Sequence, residues 1–309
     1  MLRIVDLFAG IGGIRLGVEQ IFPKSKCVFS SEINKYSIET YKANFGDHNI
    51  YGDITKISEK DVPAHDILLA GFPCQPFSQA GLKKGFNDTR GTLFFDILRI
   101  LKYHMPKVFL LENVKQLKGH NKGQTLSIML DELEKIGYKN VQYTILKARD
   151  FNIPQNRERL YIVGFKDNEI KFSFPQPIEF QTQVGDILEE KVDDKYTISD
   201  KLWAGHQRRK IMNKKNGKGF GYGLFNKDSL YTNTISARYY KDGSEVLIEQ
   251  DNKNPRKITP REAARLQGFP DDFIIPVSDT QAYMQFGNSV CVNVINAIAQ
   301  EIKKSLLTK

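Results

Sequence analysis

Asp66-Ile67-Leu68-Leu69-Ala70-Gly71-Phe72-Pro73-Cys74-Gln75 decides how the rest of the chain is read. A short apolar run between an acid and a glycine is the pattern of a strand buried on both faces, as in a parallel sheet. In open α/β sheets ligands gather at the carboxyl ends of such strands. The thiol of Cys74 therefore falls where chemistry is usually done, on a turn stiffened by Pro73. A second run, Lys107-Val108-Phe109-Leu110-Leu111, ends in Glu112-Asn113-Val114. A nucleophile and a carboxylic acid at the ends of two central strands make one site.

Outward from these runs, the first half alternates strand-like and helix-like segments, which predicts an α/β fold with a doubly wound, mostly parallel sheet. Residues 2–9 read as the first strand, 13–20 open the first helix, 27–32 form the second strand and 35–44 a helix. Residues 91–102 place Phe94, Ile97, Leu98 and Leu101 on one helical face. A helix across 124–136 and strands at 141–146 and 159–165 follow. Beyond residue 171 the pattern changes: Pro175 and Pro177 punctuate the chain and a Lys- and Gly-rich segment follows. The β-prone runs 232–240 and 245–248 flank Lys241-Asp242-Gly243-Ser244, and Asp-Gly in such a setting predicts a hairpin. The expected organisation is a first domain over 1–180, completed by 285–309, and a smaller β-rich domain with a hinge over 181–284. An amphipathic helix at 290–302 is expected to return to the first domain.

The chain has 309 residues, 40% hydrophobic and 26% charged, ordinary values for a soluble globular protein. No apolar stretch approaches the ~18 residues of a membrane span. The first residues run straight into a strand, so no signal peptide is expected. Three cysteines, Cys27, Cys74 and Cys291, have no Cys-x-x-Cys pairing, which argues against a disulfide framework or a metal centre and fits a reducing cytosol. A net charge of +9 points to a polyanionic partner. Between Lys201 and Lys218 stand Arg208, Arg209, Lys210, Lys214 and Lys215 with no acid among them; the bland reading is a solvated helix face.

Phe8-Ala9-Gly10-Ile11-Gly12-Gly13 lies at a strand-to-helix turn, where glycines let backbone approach a ligand. Glu32, ending the second strand, can hold ribose hydroxyls. Arg15 breaks the dinucleotide spacing Gly-x-Gly-x-x-Gly, yet with Asp53 closing Tyr51-Gly52-Asp53-Ile54 an adenosine-type ligand is expected. No Gly-Lys-Ser/Thr follows to cradle a triphosphate, which argues against a kinase or ATPase. Cys27 and Cys291 read as buried filler, whereas Cys74, near cations, can be partly thiolate. Arg157 and Arg159 are candidate cations that point to one side if the chain is extended; the alternative is a surface charge pair. In a desolvated site the pKa of Glu112 should rise, so that it can share a proton with a bound base, while Asn113 fixes the local backbone.

Taken in order, Asp6-Leu7-Phe8-Ala9-Gly10-Ile11-Gly12-Gly13, Gly71-Phe72-Pro73-Cys74-Gln75-Pro76-Phe77-Ser78, Glu112-Asn113-Val114, Gln155-Asn156-Arg157-Glu158-Arg159, the segment from Thr259 to Pro270, and Gln285-Phe286-Gly287-Asn288-Ser289-Val290 resemble the bacterial DNA (cytosine-5)-methyltransferases of restriction–modification systems. That resemblance implies a catalytic, S-adenosylmethionine-binding first domain and a target-recognition second domain. It implies that the cofactor lies over Phe8, Gly10 and Gly13, with Glu32 on its ribose, Asp53 near the adenine, and Asn288 and Ser289 closing the pocket; Ile11, Ile33, Ile54 and Pro73 complete the implied cofactor-binding set. Cys74 would add to cytosine C6 while Glu112 protonates or hydrogen-bonds N3, with Arg157 and Arg159 anchoring the flipped nucleotide. A base inside a duplex hides C6, so the cytosine must be extruded at a cost of a few kcal/mol. Residues 78–90 are the expected lid, with Gln75, Ser78, Lys83 and Lys84 on DNA. Thr234 would position backbone, and Arg238 and Lys241 would read bases, in a manner that resembles members acting within CC-x-GG-type sites.

The implied partners are double-stranded DNA and a cognate restriction endonuclease, with no metal and no membrane, for a cytoplasmic, nucleoid-associated monomer. A tRNA cytosine-5 methyltransferase of the same superfamily is the nearest alternative, but its Cys-Phe-Thr element is absent from the second domain here. A nicotinamide-dependent oxidoreductase fits poorly with the broken Gly spacing and the Cys74–Glu112 pair. A catalytically dead DNA-binding module fits poorly with the presence of both residues.

Overall fold

Strands form where apolar runs can be shielded on both faces, and Ile4, Val5, Leu68, Leu69, Leu110 and Leu111 are all fully buried. The computed structural model describes residues 1–46, 50–73, 93–178 and 182–308. Within it, β1 (Arg3–Leu7), β2 (Lys26–Ser31), β3 (Ile50–Tyr51), β4 (Ile67–Gly71), β5 (Val108–Val114), β6 (Asn140–Lys147) and β7 (Glu158–Phe165) make a seven-stranded sheet in the order β3-β2-β1-β4-β5-β7-β6. β1 to β5 pair in parallel, and β7 runs antiparallel to β5. The order reverses between β1 and β4, the kind of switch point that leaves a crevice at the strands' carboxyl ends.

Helices α1 (Gly13–Ile21), α2 (Lys35–Phe45), α3 (Leu93–His104) and α4 (Gln124–Lys135) connect the strands. α3 buries Phe94, Ile97, Leu98 and Leu101, the face its 3.6-residue period marked out. α2 starts where the Asn34 side chain accepts the Tyr36 and Ser37 amides, so two otherwise orphaned donors are satisfied.

The chain divides into two compact units: the first holds 1–146, 158–176 and 294–309, and the second holds 147–157 and 177–293. Residues 147–157 and 285–293 thus belong to the second unit, where the sequence pattern placed them with the first. Hydrogen bonding explains the former: Gln155 Nε2 donates to the Leu266 carbonyl at 2.7 Å, and the Asn156 amide donates to Thr232 at 2.9 Å. The second unit carries α5 (Asp200–Lys215), α6 (Pro260–Arg265) and α7 (Asp279–Asn288). Its β-structure is modest: β8 (Leu224–Phe225), β9 (Leu247–Ile248) and β10 (Arg256–Lys257) form a three-stranded sheet in the order β10-β9-β8. The long α8 (Val292–Leu307) runs on into the first unit.

The hairpin expected at Asp242-Gly243 is corrected. Residues 237–242 form consecutive turns, with the Lys241 amide on the Arg238 carbonyl and the Gly243 amide on the Tyr239 carbonyl, both at 3.0 Å. The reason is Tyr239, which leaves any strand alternation to bury its ring completely; its hydroxyl donates to Val246 at 2.6 Å and accepts the Ile258 amide at 2.9 Å. Gly243, at φ +65°, then lets the chain reverse.

Candidate active site

At the end of β1 the backbone turns left-handed at Phe8, φ 55°, and at Gly10, φ 56°. Among the described residues a β-carbon on Gly10 would meet nothing within 4 Å. Glu32, directly after β2, locks the turn in place. Its Oε2 accepts the Gly10 amide at 2.8 Å, and its Oε1 accepts the amides of Ile33 at 2.9 Å and Asn34 at 2.8 Å. A carboxylate held by three amides is a fixed acceptor with lone-pair capacity left over. Ile33 beside it is 75% exposed, an apolar surface without cover among the described residues. Asp53 caps the short helix at Ile54–Lys56; hydrogen bonds from the Thr55 hydroxyl and amide hold its carboxyl below the usual range. Ile54 is buried, and Ile11 and Gly13 pack inward.

Sequence reasoning missed a polar network beneath this turn. Arg15, noted only as the residue that breaks a glycine pattern, donates to the Tyr41 hydroxyl at 3.0 Å and to Glu19 at 2.8 Å. Tyr41 pairs with Ser30 at 2.6 Å and reaches Asp6 at 3.5 Å. Burial pushes the Asp6 carboxyl up to about 7, against the pull of Arg15. The signal was an Asp at the start of the Gly-rich stretch, inside a strand that should otherwise be apolar.

The second half of the site lies at the ends of β4 and β5. Glu112 pairs with Gly71 across the parallel register and with Tyr161 across the antiparallel one, opposite which Val114 meets Arg159. Glu112 and Arg159 are therefore diagonal neighbours on one face, within reach of long side chains. Arg159 Nε stands 3.1 Å from Glu112 Oε1, with the two side chains 17% and 11% exposed. Glu112 Oε2 lies on the Gly71 side, 3.5 Å from where a β-carbon on that glycine would sit. Asn113 donates to the Phe72 carbonyl at 2.8 Å and accepts the Val114 amide at 2.8 Å, so the chain leading into Pro73 is tied to β5. Cys74, Gln75, Ser78, Lys83 and Lys84 lie outside the described residues, whereas Pro73 is exposed at their edge.

Arg157 is placed differently from Arg159. It is buried in the second unit and gives its guanidinium to the main-chain carbonyls of Ile235 at 3.1 Å, Gly287 at 3.0 Å and Ser289 at 2.5 Å. Thr234 donates to the Asn156 carbonyl at 2.6 Å. Gly287 packs so tightly on Ser236 that a β-carbon would fall 2.3 Å from its backbone. Asn288 and Ser289 follow at the end of α7. Arg238 and Lys241 are exposed on the turns beside buried Tyr239.

A sheet of this order with one antiparallel strand, a Gly-rich turn after β1 and an acid after β2 defines an S-adenosylmethionine-dependent methyltransferase fold. The solved structure of the S. pombe Dnmt2 methyltransferase superposes with a TM-score of 0.81 at 23% identity, covering 98% of this chain and 99% of that one. The sequence model of the C-5 cytosine-specific DNA methylases matches residues 2–304. Type II methyltransferase M.NlaX of Neisseria lactamica is 69% identical over 306 residues, 99% of this chain and 97% of the relative. Type II methyltransferase M.SsoII of Shigella sonnei is 66% identical over 308 residues, 98% of this chain and 80% of the relative. The chain belongs to the C-5 cytosine-specific DNA methylases, a family that uses S-adenosylmethionine.

Proposed function

We propose that the chain methylates C5 of a flipped-out cytosine in a specific duplex site, with Cys74 as nucleophile and Glu112 as proton donor. The observation that carries this reading is the Glu112–Arg159 pair at the end of β5, beside the β4 end that leads into Cys74. Cytosine C5 is a poor nucleophile, so it must be activated. The Cys74 thiolate adds to C6 while the Glu112 carboxyl gives N3 a proton, and C5 becomes enamine-like. Once C5 has taken the methyl group its proton passes to solvent, the C–H electron pair re-forms the C5–C6 double bond and expels the Cys74 thiolate, and N3 returns its proton to Glu112. Arg159 holds Glu112 Oε1 and so fixes the carboxyl at the end of β5. A hydroxyl in place of the thiol would be a worse nucleophile at neutral pH and a worse leaving group.

The residues present fit the methyl donor. Glu32 offers a fixed carboxylate to a vicinal diol, Gly10 leaves its turn open to a ligand among the described residues, and Ile33 offers an exposed apolar face to a heterocycle. When bound, S-adenosylmethionine supplies an electrophilic methyl on a sulfonium. Phe8, Ile11, Gly13, Asp53, Ile54, Pro73, Asn288 and Ser289 complete the proposed set. In the second unit Thr234 and Arg157 hold backbone, and Arg238 and Lys241 read bases in a CC-x-GG-type target. Gln75, Ser78, Lys83 and Lys84 contact DNA. The chain acts as a monomer in the cytoplasm near the nucleoid, alongside an endonuclease of the same specificity. Among the described residues no helix is long and apolar enough to cross a membrane.

The test is Cys74→Ser with tritiated methyl donor and duplex DNA or tRNA as acceptor. Turnover on duplex DNA should vanish while DNA binding survives. Unchanged turnover, or a wild-type preference for tRNA, would overturn the reading. Mapping 5-methylcytosine in an expressing host fixes the target, and methylation confined to unrelated motifs would end the CC-x-GG assignment.

A further inference from the structure

α5 is an unusual helix for a globular unit: of its 16 residues only His206 is buried. A helix of this length normally earns its place by burying an apolar stripe. α5 is instead clasped by polar groups along one side. His206 Nε2 meets the Asp242 carbonyl at 3.1 Å, Arg209 meets Asp242 Oδ2 at 3.0 Å and the Gly221 carbonyl at 3.2 Å, and Asn213 donates to the Phe220 carbonyl at 2.7 Å. Asp242 belongs to the same run of turns as Arg238 and Lys241, so α5 and those exposed cations are joined within one unit.

The opposite side of α5 faces solvent. Arg208, Ile211, Met212 and Lys215 recur at i, i+3, i+4 and i+7, one stripe of a helix, and all are exposed. Lys214 adjoins the stripe and Lys218 follows beyond the helix end, both exposed. Within 200–218 the lone acid is Asp200, at the first helical residue. Cations in the last turn agree with the helix dipole, but Arg208 lies outside that turn, and Lys210 and Lys214 repel each other at i, i+4. Such a face repels a second copy of itself and attracts a polyanion.

We infer that the outer face of α5 lies along the phosphate backbone of duplex DNA flanking the methylated site, a contact independent of base sequence. This deepens the proposed function and rests on it for the presence of a duplex. At 1.5 Å per residue the helix is about 24 Å long, room for roughly seven base pairs of backbone. The cations, and not the apolar pair, supply the affinity.

The experiment uses the full chain and two duplexes of about 14 and about 34 base pairs, each centred on the site that wild-type protein methylates. Fluorescence anisotropy is read over a salt series for wild type and for the triple variant Arg208→Gln, Lys214→Gln, Lys215→Gln. The variant should bind the long duplex roughly ten- to a hundredfold more weakly, with its log–log salt slope shallower by about 2 to 3, and bind the short one within about twofold of wild type. Lys214→Arg with Lys215→Arg, which keeps the charge, should retain long-duplex affinity, and this guards against loss of helix structure as the cause. Equal affinity of wild type and triple variant for the long duplex would overturn the inference. So would an equal loss on both duplexes, or a self-association of wild type that the triple variant abolishes in sedimentation. Methyl incorporation is read separately: a wild-type protein that methylates no duplex site counts against the proposed function, and persistence of methylation in the variant on the short duplex shows an intact reaction centre.

Discussion

The two units are held by different physics. The first is a sheet whose central strands are fully buried, so its stability comes from apolar area shared among many interchangeable side chains. The second has strands of two residues each and is fastened by buried side chains on main-chain groups: Gln155 on Ile235 and Leu266, Gln267 on Phe286, Tyr283 on Ile258. At its centre Arg256 forks onto both oxygens of Glu262 at 2.7 and 2.8 Å, and Glu262 also closes a capping box with Thr259 at the start of α6. An apolar core degrades gradually under substitution. A polar clasp fails one residue at a time, because the abandoned partner stays buried and unsatisfied.

Substitutions on the two sides of this contrast sharpen it. The largest effect should be Glu112→Gln, which keeps the shape at the end of β5 and removes the transferable proton; the methyl-transfer rate constant is expected to fall about 10²- to 10⁴-fold in single-turnover methylation, with little change in melting temperature. Next comes Glu262→Gln, which leaves Arg256 buried opposite a neutral group. Denaturant unfolding should report a loss of about 3–5 kcal/mol, and a loss indistinguishable from that of an exposed carboxylate would break the contrast. Gln155→Ala should cost about 1–3 kcal/mol by orphaning the Ile235 amide and the Leu266 carbonyl.

Smaller still is a pH effect in the first unit. Asp6 titrates near 7 in the fold against 3.8 for an exposed Asp, because burial disfavours its charged form. The folded state therefore binds more protons than the unfolded one across that window, and the contribution present below about pH 4 is lost as pH rises through 7. Asp6→Asn should melt above wild type at pH 8, and the gap should narrow toward pH 5. A gap constant with pH would show that Asp6 is ionised throughout.

The same contrast explains what could be read beforehand. Runs such as Ile67 to Ala70 and Val108 to Leu111 announce strands because burial on both faces leaves no polar positions, and the strand-end rule then finds Glu112. The Glu112–Arg159 pairing itself needed the antiparallel register of β7, which no local pattern carries. The placement of Arg157, which the sequence named beside Arg159, escaped for another reason. The Gln155 amide bonds to the Ile153 carbonyl at 2.7 Å and the Arg157 amide to Gln155 at 2.9 Å, two tight i to i+2 turns that end the extended chain just before β7. Two arginines a residue apart consequently serve different units. Asp242 likewise signalled a hairpin by composition, whereas its side chain is committed to Arg209 on α5.

One consequence follows from α8, which covers the first unit with buried Ile295, Ile298 and Ile302 and ties itself to α1 through Asn296 on Gln20 and Lys303 on Ile21. Ribosomes deliver amino-terminal segments first. The segment that completes the first unit is therefore made only after residues 177–293, so the buried face that α8 supplies is the last part of that unit to arrive.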